Sequence, residues 1–184
     1  MAKNYSQIEK KAQELLDSLK INELPIPINE VAERAGTSVT AFDLGDDISG
    51  VLHIKNNKAN IGYNPSESKV RQRFTVAHEL GHYILHKHDE KDKIYVDNEN
   101  YFYPLKFRTT NMKLSEQDYE EEQEANAFAA ALLMPVRLVQ REVKNYNGFD
   151  LSDNSMIVEL AKKFDVSMQA MSYRIFRLVD AGQI

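Results

Sequence analysis

Two histidines four residues apart, with a glutamate directly after the first, hold the most chemistry in this chain: His78-Glu79-Leu80-Gly81-His82. On a helix, residues four apart lie on one face, so both imidazoles reach one ion. The run matches H-E-x-x-H, a zinc-site signature. Glu79 stands beside the first imidazole and can face a water at the metal without itself binding the ion. Zinc lowers the pKa of such a water to about 7, and a nearby carboxylate can then take its proton. The competing reading is an ordinary amphipathic helix with two satisfied histidines. It leaves the context before and after the motif unexplained.

That context begins with a helix start. Asn64-Pro65-Ser66-Glu67-Ser68 is turn and cap chemistry, with proline suited to a turn or first-turn position. Residues 69–85 contain no proline, and Val70, Phe74, Ala77, Leu80 and Ile84 recur at three- and four-residue steps. Gly81 costs about 1 kcal/mol of helix propensity against alanine. A glycine there is explained if something packs close to the helix backbone. His86 and His88 follow, and His88 has the spacing of a third histidine ligand in metzincins. That arrangement needs a glycine three residues after the second histidine, where this chain has Leu85. His86 and His88 are therefore expected beside the site or at the surface.

A catalytic zinc keeps three protein ligands and one open position. Cysteine is absent, so the third ligand is His, Asp or Glu. The strongest candidate segment is residues 120–135, an acidic run followed by an alanine-rich helix former ending at Pro135. Glu122, Ala125, Asn126 and Ala129 share one face, so a carboxylate above two alanines can lie against the motif helix. Most acids of the run from Glu116 to Glu124 belong to a solvated helix face. One inward carboxylate is enough, and Glu124 competes with Glu122 for that place. Glu122 and Asn126 have the Glu-x-x-x-Asp/Asn spacing of gluzincin-type sites.

Two blocks now resemble a known family. Residues 71–86, which hold the motif, and residues 122–135 look like the ImmA/IrrE family of metallopeptidases, and the resemblance extends from about residue 24 to about residue 177. It implies Zn2+ held by His78, His82 and Glu122, with Glu79 as the catalytic base. It also implies a cytoplasmic prokaryotic or phage endopeptidase. Such proteins relieve repression by cleaving a partner helix-turn-helix repressor.

Composition agrees with that setting. With 184 residues, 42% of them hydrophobic, the chain builds one domain, or one with a small appendage. The absence of cysteine excludes a disulfide framework, a thiolate zinc site and a cysteine nucleophile. The N-terminal residues have no apolar signal core, and no run approaches the length of a membrane span, so a cytoplasmic protein without membrane contact is expected. A net charge of −5 argues against a large phosphate-binding face.

The periodicity predicts helices over 5–21 and 28–35, then short strands over 38–44, 50–55 and 60–63, with Asn56-Asn57 as a tight turn. The expected fold is α+β: a zincin-like core with a small three-stranded antiparallel sheet packed on the motif helix. That domain spans 1–150, with N-terminal helices over 1–36, the sheet over 37–63, and active-site helices and a loop over 64–150. An exposed sheet edge, 50–55 or 60–63, is expected to pair with extended substrate. Residues 87–114, polar and aromatic without helical period, read as a loop or hairpin near the cleft.

Residues 156–164, 165–167 and 168–179 read as helix, tight turn, helix, with Ser167 as N-cap. This makes 151–184 a helix-turn-helix-like cap. The rival function is therefore a DNA-binding or metal-sensing regulator with a non-catalytic site. Charge argues against DNA: Lys162, Lys163, Arg174 and Arg177 are balanced by Asp153, Glu159, Asp165 and Asp180. A sensor has no use for Glu79. Candidates for a supporting or substrate-binding role are His86, Tyr63, Asn126 and Arg73. Stabilisation of the oxyanion falls to Tyr63, Tyr83, Arg71, Arg73 or the tyrosines of residues 95–103.

Overall fold

The computed structural model describes residues 2–56, 58–86, 92–98, 116–146 and 154–184. Among them the order is α1 (Ala2–Ser18), α2 (Ile28–Arg34), β1 (Thr37–Ala41), β2 (Ile48–Lys55), β3 (Lys58–Tyr63), α3 (Lys69–His86), β4 (Asp92–Asn98), α4 (Glu116–Leu133), α5 (Val136–Val143), α6 (Asn154–Phe164) and α7 (Met168–Asp180). None of these helices is long and apolar enough to cross a membrane.

The α+β expectation holds, but the sheet is larger and its topology differs. It has four strands in the order β1-β3-β2-β4. β2 pairs antiparallel with β3 and β4, whereas β1 pairs parallel with β3. The expected three-stranded antiparallel sheet is thus corrected on two counts. Residues 92–98, expected in a loop or hairpin, supply a strand, and β3 folds back between β2 and β1, so that β1, which also runs opposite to β2, lies parallel to β3. The expectation that 50–55 or 60–63 forms an exposed edge is also wrong. Both strands are internal, and the outer strands are β1 and β4. An outer strand cannot be told from an inner one by alternation, which reports the faces of a strand and not its neighbours.

One face of the sheet packs on α3. Leu52, Ile54, Ala59 and Ile61 are buried there with Val76, Ala77 and Leu80. The helix starts where the turn chemistry places it. Asn64 is buried, its Nδ2 donates to the carbonyls of Gly45 and Ile48 at 2.7 and 3.1 Å, and its Oδ1 accepts from Ser66 N at 3.0 Å. Ser68 Oγ accepts from Arg71 N at 3.4 Å.

On its other flank α3 meets α4. A Cβ on Gly81 would lie 3.1 Å from both the Cα and the carbonyl oxygen of Ala125 and 3.4 Å from its Cβ. The helix-weakening glycine and the alanine-rich stretch therefore explain each other: small residues let the two backbones approach. α1 also packs on α4, through Ile8, Ala12 and Leu16.

The C-terminal pair α6–α7 joins the same hydrophobic core through Ile157, Leu160, Phe164, Met171, Ile175 and Leu178. Ser167 caps α7 as expected, its Oγ accepting from Ala170 N at 3.1 Å. Three of its cations, Arg174, Lys163 and Arg177, are engaged within the chain. Arg174 donates to Met134 O at 2.9 Å and pairs with Glu9. Lys163 pairs with Glu142 at 3.1 Å, and the Arg177 guanidinium lies 4.1 Å over the Tyr5 ring. α5 was not anticipated, although Val136, Val139 and Val143 after Pro135 carry helical spacing.

Candidate metal centre

α3 presents His78 and His82 one turn apart, and the close α3–α4 contact brings Glu122 opposite them. The two Nε2 atoms are 3.1 Å apart. Glu122 Oε2 lies 3.2 Å from His78 Nε2, and Oε1 lies 3.1 Å from His82 Nε2. Donors about 2.0–2.1 Å from a tetrahedral zinc stand about 3.3–3.4 Å from one another. Among the described residues this is the group of three whose donor atoms converge as metal ligands do.

The protonation pattern points the same way. His78 Nδ1 is 3.1 Å from Asn126 Oδ1, which accepts the Nδ1–H and leaves the Nε2 lone pair facing the carboxylate. Burial pushes the His82 imidazole down to about 4, with His78 and His86 adding to that effect and Glu122 opposing it. It is therefore neutral near pH 7. Burial works to raise the Glu122 carboxyl, but contact with His78 and His82 outweighs it and holds the group well below the usual carboxylate range. His78 Nε2, His82 Nε2 and the Glu122 carboxylate thus converge on one point. Glu122 Oε2 is buried and has no hydrogen-bond donor among the described residues. A shared cation reconciles that arrangement, so the residues fit a divalent metal of the zinc type.

Glu79 follows His78 and is fully buried against β2. A Cβ on Gly50 would overlap Thr75 Cγ2 and come within 3.1 Å of Glu79 Oε1. Gly50, next to a register shift in the β2–β4 ladder, is what leaves room for the carboxylate. The sequence reading missed Gly50; an isolated glycine inside a strand pattern was the signal for a close approach.

The other anticipated residues divide. Asn126 is at the centre, bonded to His78. His86 is buried at the end of α3, 3.3 Å from the Glu121 carbonyl and 3.7 Å from Glu124. Glu124 is therefore beside His86 and not in the cluster. Arg73 and Tyr63 are elsewhere: with Asn29, Lys69, Gln72, Val76 and Asp165 they line a polar cleft. Arg73 donates to the carbonyls of Asp165 and Ile26, each at 3.0 Å. Five residues from His78 on a helix, it faces away from the metal ligands. Arg71 donates to Ser49 Oγ at 2.8 Å and lies 3.6 Å from Glu67. The Tyr83 hydroxyl is near Gly36. Of the tyrosines in residues 95–103, Tyr95 stacks on His82; Tyr101 and Tyr103, like His88, lie outside the described residues.

A motif helix on a small sheet, with a third donor from the following helix, is the arrangement of a metallopeptidase. The chain belongs to the ImmA/IrrE family of metallopeptidases: the Peptidase_M78 model, described as the IrrE N-terminal-like domain, matches residues 32–176. The match spans the sheet, the motif helix, α4 and most of α7. No curated protein matches the chain.

Proposed function

We propose that the chain is a zinc-dependent endopeptidase that cuts a peptide bond in a partner protein, a helix-turn-helix repressor, and so relieves repression. The convergence of His78 Nε2, His82 Nε2 and the Glu122 carboxylate within 3.1–3.2 Å carries the metal reading. The repressor rests on the resemblance of residues 71–86 and 122–135 to the family. Zn2+ bound there supplies Lewis-acid chemistry, activating water and polarising the scissile carbonyl. His78, His82 and Glu122 hold the ion. Asn126 fixes the tautomer and orientation of His78. Glu79 takes the proton of the attacking water and delivers it to the leaving amine. Its buried seat against Gly50 keeps it in one orientation and away from bulk solvent.

The neutral charge balance of residues 151–184, with Arg174, Lys163 and Arg177 engaged inside the chain, supports a protein partner and not nucleic acid. It also fits a cytosolic protein acting on one regulator.

The test is digestion of a candidate helix-turn-helix repressor, with and without chelator, using Glu79→Gln as the comparison. The expected result is a single chelator-sensitive cut. Glu79→Gln should keep zinc and fold while slowing cleavage about 10²–10⁴-fold. Cleavage at the original rate by Glu79→Gln would overturn the mechanism, and an uncut repressor would overturn the substrate.

A further inference from the structure

The two histidines of the centre are held in different ways. His78 is oriented by a hydrogen bond, from Nδ1 to Asn126 Oδ1 at 3.1 Å. His82 Nδ1 is buried and has no hydrogen-bond partner among the described residues. A metal-binding histidine almost always gives its second ring nitrogen to an acceptor, because that bond fixes the ring plane. His82 has a flat contact in its place. The Tyr95 ring lies 4.6 Å from the imidazole, centroid to centroid, with the planes inclined at 26°. On the imidazole's other approaches His78 meets it edge-on at 4.7 Å and His86 at 5.8 Å with a 53° tilt.

We propose that Tyr95 is a positioning residue for His82: stacking from β4 sets the plane of the imidazole, as the Asn126 hydrogen bond does for His78. This rests on the reading of His78, His82 and Glu122 as the metal ligands. Rotation about the ring's bond to Cβ is soft, and a partner lying across the face limits it as a hydrogen bond at Nδ1 would. Tyr95 is itself placed by the sheet, opposite Leu52 in the β2–β4 register. This outer strand therefore reaches the metal centre through one side chain, and correct pairing of β4 is part of assembling the site. The function belongs to the aromatic face, not to the phenol.

The test compares Tyr95→Val, a strand former without a ring, with Tyr95→Phe, which keeps the ring and loses the hydroxyl. Zinc affinity is measured by chelator competition. The visible absorption of Co2+ bound in place of zinc reports ligand geometry, and thermal melting of the metal-free proteins reports fold. Tyr95→Val should weaken zinc binding about 10-fold, within the range of losses from removing a ligand's orienting partner, and should alter the cobalt spectrum. Tyr95→Phe should restore both. Tyr95→Val with unchanged affinity and spectrum would overturn the proposal. So would a Tyr95→Phe variant as weak as Tyr95→Val, which would give the role to the hydroxyl. Failure of the unsubstituted chain to bind zinc would overturn the metal reading itself, an outcome distinct from both.

Discussion

The two flanks of α3 both carry polar side chains, yet they are organised oppositely. On one, His78 and His82 meet Glu122 from α4, and their metal-binding atoms converge on one point. On the other, Arg73 with Lys69 and Gln72 faces Tyr63, Asn29 and Asp165 across a cleft. There the guanidinium donors end on the carbonyls of Ile26 and Asp165, with the Asp165 carboxylate 3.3 Å away. That flank ties α3 to the segment before α2 and to the turn between α6 and α7. Polar residues on a buried helix do not by themselves mark a site. Metal-binding side chains converging on one point do, since a shared cation stabilises all of them.

The comparison breaks most visibly at the third ligand. Glu122→Ala should lose zinc and cleavage together, by more than the roughly 100-fold upper range for an outer partner. Glu124→Ala should leave zinc affinity within about 0.5 kcal/mol, because that carboxylate lies beside His86. Metal titration of the two variants decides between the carboxylates, and equal losses would refute the assignment.

Gly81→Val is expected to cost about 3 kcal/mol of stability, since even its Cβ would meet the Ala125 backbone at 3.1 Å. By moving α4 it should also weaken zinc binding. Denaturant unfolding and zinc competition on the same variant check the two effects. A stable variant with full affinity would show that the helix contact does not set the ligand distance.

On the far flank the effects should separate. Arg73→Ala removes charged hydrogen bonds to two carbonyls and should cost about 2 kcal/mol in unfolding free energy. Its zinc affinity and its rate per folded molecule should stay unchanged. Loss of turnover without loss of stability would restore Arg73 to the catalytic side. Tyr63→Phe should have the smallest effect, within about 0.5 kcal/mol in stability and with no change in rate.

Legibility in the sequence followed the range of the interaction. The motif helix was readable because its ligands are four residues apart and share a face of one element. Its start was readable because Asn64 and Ser68 act on neighbouring backbone. The role of Gly81 was half readable: its cost in a helix signalled a close neighbour, and the alanines at 125 and 129 offered one. The cap of α7 was equally local, Ser167 bonding three residues ahead. The surroundings of Tyr63 and Arg73 were not readable for the opposite reason. A polar residue near the motif in sequence can lie on either flank of the helix, and its partners, Asp165 and Ile26 for Arg73, come from remote segments.

The sequence by itself determined the donor types, their spacing on α3, the face of α4 that carries Glu122, and the α+β class. Those follow from local periodicity and from the chemistry of single side chains. Only the tertiary structure decided that β1 runs parallel to β3, that β4 is an outer strand, and that Gly50 makes room for Glu79. It alone laid Tyr95 across His82. Each of these depends on which surfaces bury one another at a distance, and strand alternation is the same for a parallel or antiparallel neighbour and for an inner or outer strand.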